Sequence, residues 1–172
     1  MRRLKKTEQP NIIWAPWRSD YISRALPEPP GCIFCRMIGR KKDAADLLIA
    51  RRKKCFAVLN LYPYNNGHTL IVPNRHTGDL NELQREERDD CLDLLKEIRD
   101  LLQAELKPAG FNIGINLGRV AGAGCPDHLH IHIVPRWPGD MNFMPVLAGT
   151  KVISQSLQAL HRQLKNAYTS RH

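Results

Sequence analysis

Residues 127–137 read Asp-His-Leu-His-Ile-His-Ile-Val-Pro-Arg-Trp, placing His128, His130 and His132 in strict alternation with Leu129, Ile131 and Ile133. Extended backbone sends successive side chains to opposite faces, so this run reads as a strand over 128–134. The leucine and isoleucines form one row that can enter a core, and the three imidazoles form the other. Three imidazoles in register are costly to bury unless they bind a metal, a phosphate or one another. The face is therefore expected to be a working site.

The rest of the chain supplies a frame for that strand. Further strands are expected at 47–51, at 55–60 and at 68–72, the last stopping before Pro73, with the turn-rich Tyr62 to Gly67 between the second and third. From Leu80 to Leu106 apolar residues recur at 80, 83, 91, 94, 95, 98, 101 and 102, an amphipathic helix pattern. Asp79 with Glu82 reads as its N-cap and capping box, and Pro108 and Gly110 close it. Another strand is expected at 111–117, then the loop Gly118 to Asp127, then the histidine strand. Val152, Ile153, Leu157, Leu160 and Leu164 suggest a C-terminal helix. An antiparallel sheet with one long helix inserted between its strands is α+β. At 172 residues the chain is expected to be one domain over 14–172, behind a basic tail over 1–13.

The net charge of +9 sits wholly in residues 1–54, which hold 14 Lys and Arg against 5 Asp and Glu. The remainder is balanced, so a dedicated nucleic-acid binder is disfavoured. Five cysteines, an odd number, are unlike a secreted disulfide framework. No apolar h-region follows the charged start, and no apolar run is long enough to span a membrane. A cytoplasmic protein is expected.

Cys32-Ile33-Phe34-Cys35 suits two thiolates placed on one metal by a tight knuckle, with thiol redox as the rival reading. Cys55 and Cys91 read as core thiols.

The histidine run, with Pro135-Arg136-Trp137 after it, resembles the signature of the histidine triad (HIT) superfamily. The extension is similar to the branch of diadenosine tetraphosphate hydrolases and phosphorylases. Trp14 to Arg18 and the segment Gly139-Asp140-Met141-Asn142-Phe143 resemble flanking elements of that branch, so the likeness runs from about residue 14 to residue 165. It implies a HIT-like fold whose sheet extends across a two-fold homodimer. It also implies a structural zinc held by Cys32, Cys35, His76 and His128.

The resemblance places the nucleophile at His130, flanked by His128 and His132, and it implies attack on the α-phosphorus of a dinucleoside polyphosphate or adenylyl conjugate through a nucleotidyl-histidine. It sets Asn60 at the ribose, His68 near the phosphates, with a structural role at the start of its strand as the rival reading, and Asn116 as an amide donor to the α-phosphate or to the leaving-group side. In the loop before the triad, Gly122, Gly124 and Cys125 would line the phosphates through backbone N–H groups. Gly124 is a departure, since many family members carry Gln, Ser or Thr there. A nucleotide-binding sensor or partner protein with negligible turnover is the alternative that this departure favours.

Overall fold

The computed structural model describes residues 31–40, 42–140 and 153–172. Within these residues four helices and five strands follow in the order α1 (Ile33–Arg40), α2 (Asp43–Asp46), β1 (Leu48–Arg51), β2 (Cys55–Leu59), β3 (Thr69–Pro73), α3 (Arg85–Leu106), β4 (Gly110–Ile115), β5 (Ile131–Arg136) and α4 (Leu157–Thr169). The strands form one antiparallel sheet in the order β1-β2-β3-β5-β4, so the expected α+β architecture with a long inserted helix and a C-terminal helix is present. The expectations for the tail over 1–13, for Trp14 to Arg18 and for Met141 to Phe143 lie outside the described residues.

Strands β2 and β3 are buried along their whole length, which their continuous apolar runs require. Helix α3 packs on them with Cys91, Leu94, Leu95, Ile98, Leu101 and Leu102, a stripe at helical spacing. Burying each of the large aliphatic side chains contributes roughly 1.5–3 kcal/mol before entropy is set against it. Helix α4 lies against β1 through Leu160 and Leu164. Its His161 Nε2–H donates to the Leu48 carbonyl at 2.8 Å and its Lys165 Nζ to that of Ile49 at 3.0 Å, which covers part of the sheet's β1 edge.

Most strand ends shift by one or two residues, and β3 runs on to Pro73 rather than stopping before it, because Pro73 still pairs with Cys55 of β2. Two element starts differ more from the sequence expectation. The long helix starts at Arg85 rather than Leu80. Asp79 caps only a single 3₁₀ turn over Leu80–Glu82, accepting from the Asn81 N–H, and Leu83 is extended. The expected capping box fails because the Glu82 carboxylate turns to Thr77 Oγ1, and the Asp79 N–H donates to that same hydroxyl. The working box is Gln84 with Glu87, whose carboxylate accepts from the Gln84 N–H at 2.9 Å.

The histidine strand also starts late, at Ile131. Its ladder with β3 runs from Ile131 opposite Ile71 to Ile133 opposite Thr69, and β3 ends at Pro73, which has no N–H to carry the pairing further. Residues 128–130 are instead held by the Leu129 N–H on the Thr77 carbonyl, at 2.7 Å.

Candidate metal and histidine centre

The CxxC pair is not a free-standing knuckle. Cys32 precedes α1 and Cys35 lies in its first turn, three residues on, so both sulfurs emerge on one side of the helix start. His76 comes from the loop after β3. Gly78 lets that loop close on the segment before the triad, because a Cβ there would sit 2.6 Å from the Pro126 carbonyl oxygen. The loop delivers His76 beside His128.

The ligand atoms of Cys32, Cys35, His76 and His128 all lie within 4.8 Å of one another. His76 Nδ1 and His128 Nδ1 are 3.3 Å apart. The sulfur-to-nitrogen separations are 3.2 Å (Cys32 to His128), 3.4 Å (Cys35 to His76) and 3.7 Å (Cys35 to His128). A tetrahedral zinc with ordinary bond lengths needs edges of about 3.3 Å between nitrogens and about 3.6 Å from sulfur to nitrogen. The residues present fit a zinc ion. His128 Nε2 lies 2.8 Å from the Pro73 carbonyl, an acceptor only, so the proton is on Nε2 and the Nδ1 lone pair faces the cluster. Both ring nitrogens of His128 are thereby engaged.

Cys125, expected at the phosphates, has its Sγ 3.8 Å from that of Cys32, on the rim of the cluster. Burial, with Cys32 beside it, pushes its thiol up to about 12. Cys55 and Cys91 are buried in the core as expected.

His130 and His132 lie next to the cluster, with ring centroids 4.9 Å apart. His130 Nδ1 is 2.8 Å from the His128 carbonyl, so that nitrogen carries the proton and Nε2 presents a lone pair. His68, from the residue before β3, has its Nε2 2.9 Å from His132 Nδ1. The Tyr64 backbone N–H donates to His68 Nδ1 at 2.9 Å, and the Asn60 side-chain amide approaches the same nitrogen at 3.3 Å. An N–H can meet only a lone pair, so His68 is protonated on Nε2 and donates to His132. His132 must then carry its own proton on Nε2, a buried nitrogen with no hydrogen-bond partner. Leaving such a donor unmet costs about 1–3 kcal/mol. Among the described residues the pair thus offers one nucleophilic lone pair, on His130, and one unmet donor, on His132.

The electrostatics agree. Burial holds His128 and His130 below the ordinary imidazole range, and burial together with neighbouring His130 takes His132 down to about 4. All three rings are neutral near pH 7, and a neutral ring is what a lone-pair nucleophile or a metal ligand requires.

Asn116 follows β4 directly, and the β4–β5 register, with Ile115 opposite Ile131, continues toward His130. The loop over 118–123 is closed by its own backbone, the Gly122 N–H donating to the Arg119 carbonyl at 2.9 Å and the Ala123 N–H to that of Gly118 at 3.2 Å. The Gly122 amide is therefore engaged within the loop.

Three contributors escape sequence reasoning. Phe34, between the two cysteines, sets its ring 5.3 Å from both His128 and His130. Tyr64 stacks on His132 at 5.8 Å while its amide fixes His68. Asn65 ties this turn to Asp140 at 2.8 Å. The turn signal at Tyr62 to Gly67 marks a bend, but it carries no sign of which amide would face a ring.

The HIT domain model matches residues 41–139, more than half of the chain. The chain belongs to the HIT family. This HIT protein is 36% identical over 170 residues to an AP-4-A phosphorylase of Mycobacterium tuberculosis, a match covering 95% of this chain and 87% of that one. An adenosine 5'-monophosphoramidase of Schizosaccharomyces pombe is 32% identical over 105 residues, 61% of this chain and 74% of that one. Among solved structures, a Zn-bound histidine triad family protein from Mycobacterium smegmatis superposes with a TM-score of 0.65 at 27% identity, covering 82% of this chain and 95% of that one. Kinship with these proteins supports a nucleotide-processing enzyme. Among the described residues no helix is long and apolar enough to cross a membrane.

Proposed function

We propose that this HIT protein transfers a nucleotidyl group from the α-phosphate of dinucleoside polyphosphates, such as diadenosine tetraphosphate, or of adenylyl conjugates. The observation that carries the reading is the pairing of a nucleophilic His130 Nε2 with an unmet His132 Nε2–H beside it. His130 Nε2 attacks the α-phosphorus in line. The bond from phosphorus to the leaving oxygen breaks, and its electron pair departs with the distal portion of the substrate. The resulting nucleotidyl-histidine is cleaved by inorganic phosphate or by water. His132 donates to a phosphate oxygen as negative charge develops, and buried placement strengthens that hydrogen bond. Asn60 serves the ribose and Asn116 the α-phosphate. The Gly124 and Cys125 backbone would stand in for the side chain that other family members place at the leaving group.

Cys32, Cys35, His76 and His128 would hold a structural zinc, which when bound ties α1 and the His76 loop to the triad. His128 then serves the metal rather than the phosphate. Two chains pair through β4, an edge strand whose Asn112, Ile113 and Gly114 are exposed, to give a cytoplasmic homodimer of single domains over 14–172.

The deciding experiment incubates the purified protein with diadenosine tetraphosphate, with and without inorganic phosphate, and separates the products. ADP plus ATP formed only with phosphate identifies a phosphorylase, as the 36% identical relative is named. AMP plus ATP without phosphate identifies a hydrolase. No product from this substrate or from adenylyl conjugates, with nucleotide affinity intact in His130→Ala, would replace the reading with a binding protein.

A further inference from the structure

Asp140 follows the turn after β5, and its carboxylate gathers four donors. Arg136 gives two, Nε at 2.6 Å and Nη2 at 2.8 Å; the Trp137 N–H gives a third at 3.1 Å, and Asn65 Nδ2 the fourth at 2.8 Å. An ionised carboxylate has about four lone-pair sites, so this one is saturated. Arg136 holds the Asp140 carboxyl at about 2, and the grip persists through neutral and mildly acidic pH.

Asn65 is the far end of the clasp. Its Nδ2 also reaches the Pro135 carbonyl at 3.2 Å, its Oδ1 accepts from the Asn66 N–H at 3.0 Å, and its own carbonyl accepts from the His68 N–H at 3.2 Å. The turn is closed at Gly67, whose φ of +78° favours glycine and whose Cβ would meet Leu106 at 2.7 Å. Through these contacts the end of β5 sets the path of residues 64–68. One consequence is the Tyr64 amide against His68 Nδ1, and the proton positions of His68 and His132 follow from it.

We infer that Asp140 is a positioning residue that, through Asn65, fixes the proton of His68 on Nε2 and so the proton of His132 on its own Nε2, the atom that the proposed function assigns to the phosphate. Its kinetic consequence rests on the nucleotidyl-transfer reading; its structural consequence does not. A clasp that only stapled the turn to β5 would affect stability and nothing else. A clasp that sets the Tyr64 amide also determines which imidazole nitrogen is protonated, two residues and two rings away.

The test is long-range proton–nitrogen correlation NMR of the imidazoles, without nucleotide, in the wild type, Asp140→Ala and Asn65→Ala. Asn65→Ala leaves the Asp140–Arg136 pair in place, so the end of β5 stays closed in at least one variant. Asp43→Asn is the control, weakening an ion pair with Arg51 and Lys165. Expected is a single Nε2-protonated tautomer for His68 and His132 in the wild type and the control, and averaged tautomers in both test variants. With diadenosine tetraphosphate, kcat should fall about ten- to a hundredfold in both variants while KM moves less. Wild-type tautomers retained in a folded Asn65→Ala protein, or a wild-type His68 protonated on Nδ1, would overturn the inference. Absence of turnover in the wild type would count against the functional reading alone, because the spectra still decide the positioning role.

Discussion

The Nδ1 proton of His130 is bonded to the carbonyl two residues back, and that one bond decides which nitrogen can attack. His130→Ala should therefore lower turnover of diadenosine tetraphosphate by at least about a thousandfold while nucleotide affinity changes little, as expected when a nucleophile is lost from an otherwise intact pocket. Single-turnover assays alongside equilibrium binding would check it, and retained turnover would remove His130 from the mechanism. His132 gives a second, independent expectation. Its folded-state value of about 4 lies below the ordinary 6.5, so the unfolded chain takes up a proton that the native protein refuses. Its contribution is full above about pH 6.5 and is lost as pH falls toward 4. By pH 5 the loss is on the order of 2 kcal/mol, because only the part of the shift between pH 6.5 and 5 is expressed there. Urea unfolding at pH 7.5 and 5 measures this, and equal midpoints would contradict it. The histidine spacing made the reactive face legible in the sequence. Tyr64 was not legible as a partner, because its hydrogen bond to His68 comes from a backbone amide that any residue type supplies, and its ring meets His68 and His132 only through the path of the turn.

Helix and strand periodicity placed the sheet and α3, since buried runs and apolar stripes are properties of the chain itself. Element ends were less legible because each was decided by a tertiary partner. Glu82 had the right spacing to box with Asp79, yet Thr77 and Arg75 took its carboxylate. The histidine run had strand periodicity throughout, yet Pro73 on the neighbouring strand ended the ladder before His130. The turn into β3 offers a test at this scale. Gly67→Ala combines a positive φ with a Cβ pressed against Leu106 and Pro135, both packed in place. It should cost about 1–3 kcal/mol in chemical denaturation. His68 should also be displaced, so kcat should fall more than the fraction folded. A fall in stability with unchanged kcat would show that the turn adjusts without moving the ring.

Over the whole molecule, the cysteine and histidine cluster joins α1, the loop after β3 and the triad segment, three pieces distant in sequence. The CxxC spacing made two of the four donors legible on chemical grounds. The other two entered only through resemblance, because no spacing rule links residues 76 and 128. With free zinc at a hundred times its Kd, binding should stabilise the protein by about 3 kcal/mol. Removing zinc with a chelator, or Cys35→Ser, should then lower Tm by roughly 6–12 °C. Scanning calorimetry with metal analysis checks this, and an unchanged Tm in a zinc-free sample would exclude a structural metal. Mass measurement in solution, with Ile113→Arg expected to shift a dimer to monomer, tests the pairing through β4.

The two margins of the sheet are unequal. Carbonyls of β1 are already taken by His161 and Lys165, whereas β4 exposes its middle residues. In the vocabulary of polymer chemistry such a chain is a monofunctional monomer, with one end able to react. Joining two copies through β4 uses up both reactive ends, and growth stops there. Under the proposed pairing, fibre formation by strand-to-strand addition would first require α4 to detach, so the C-terminal helix would act as the chain terminator.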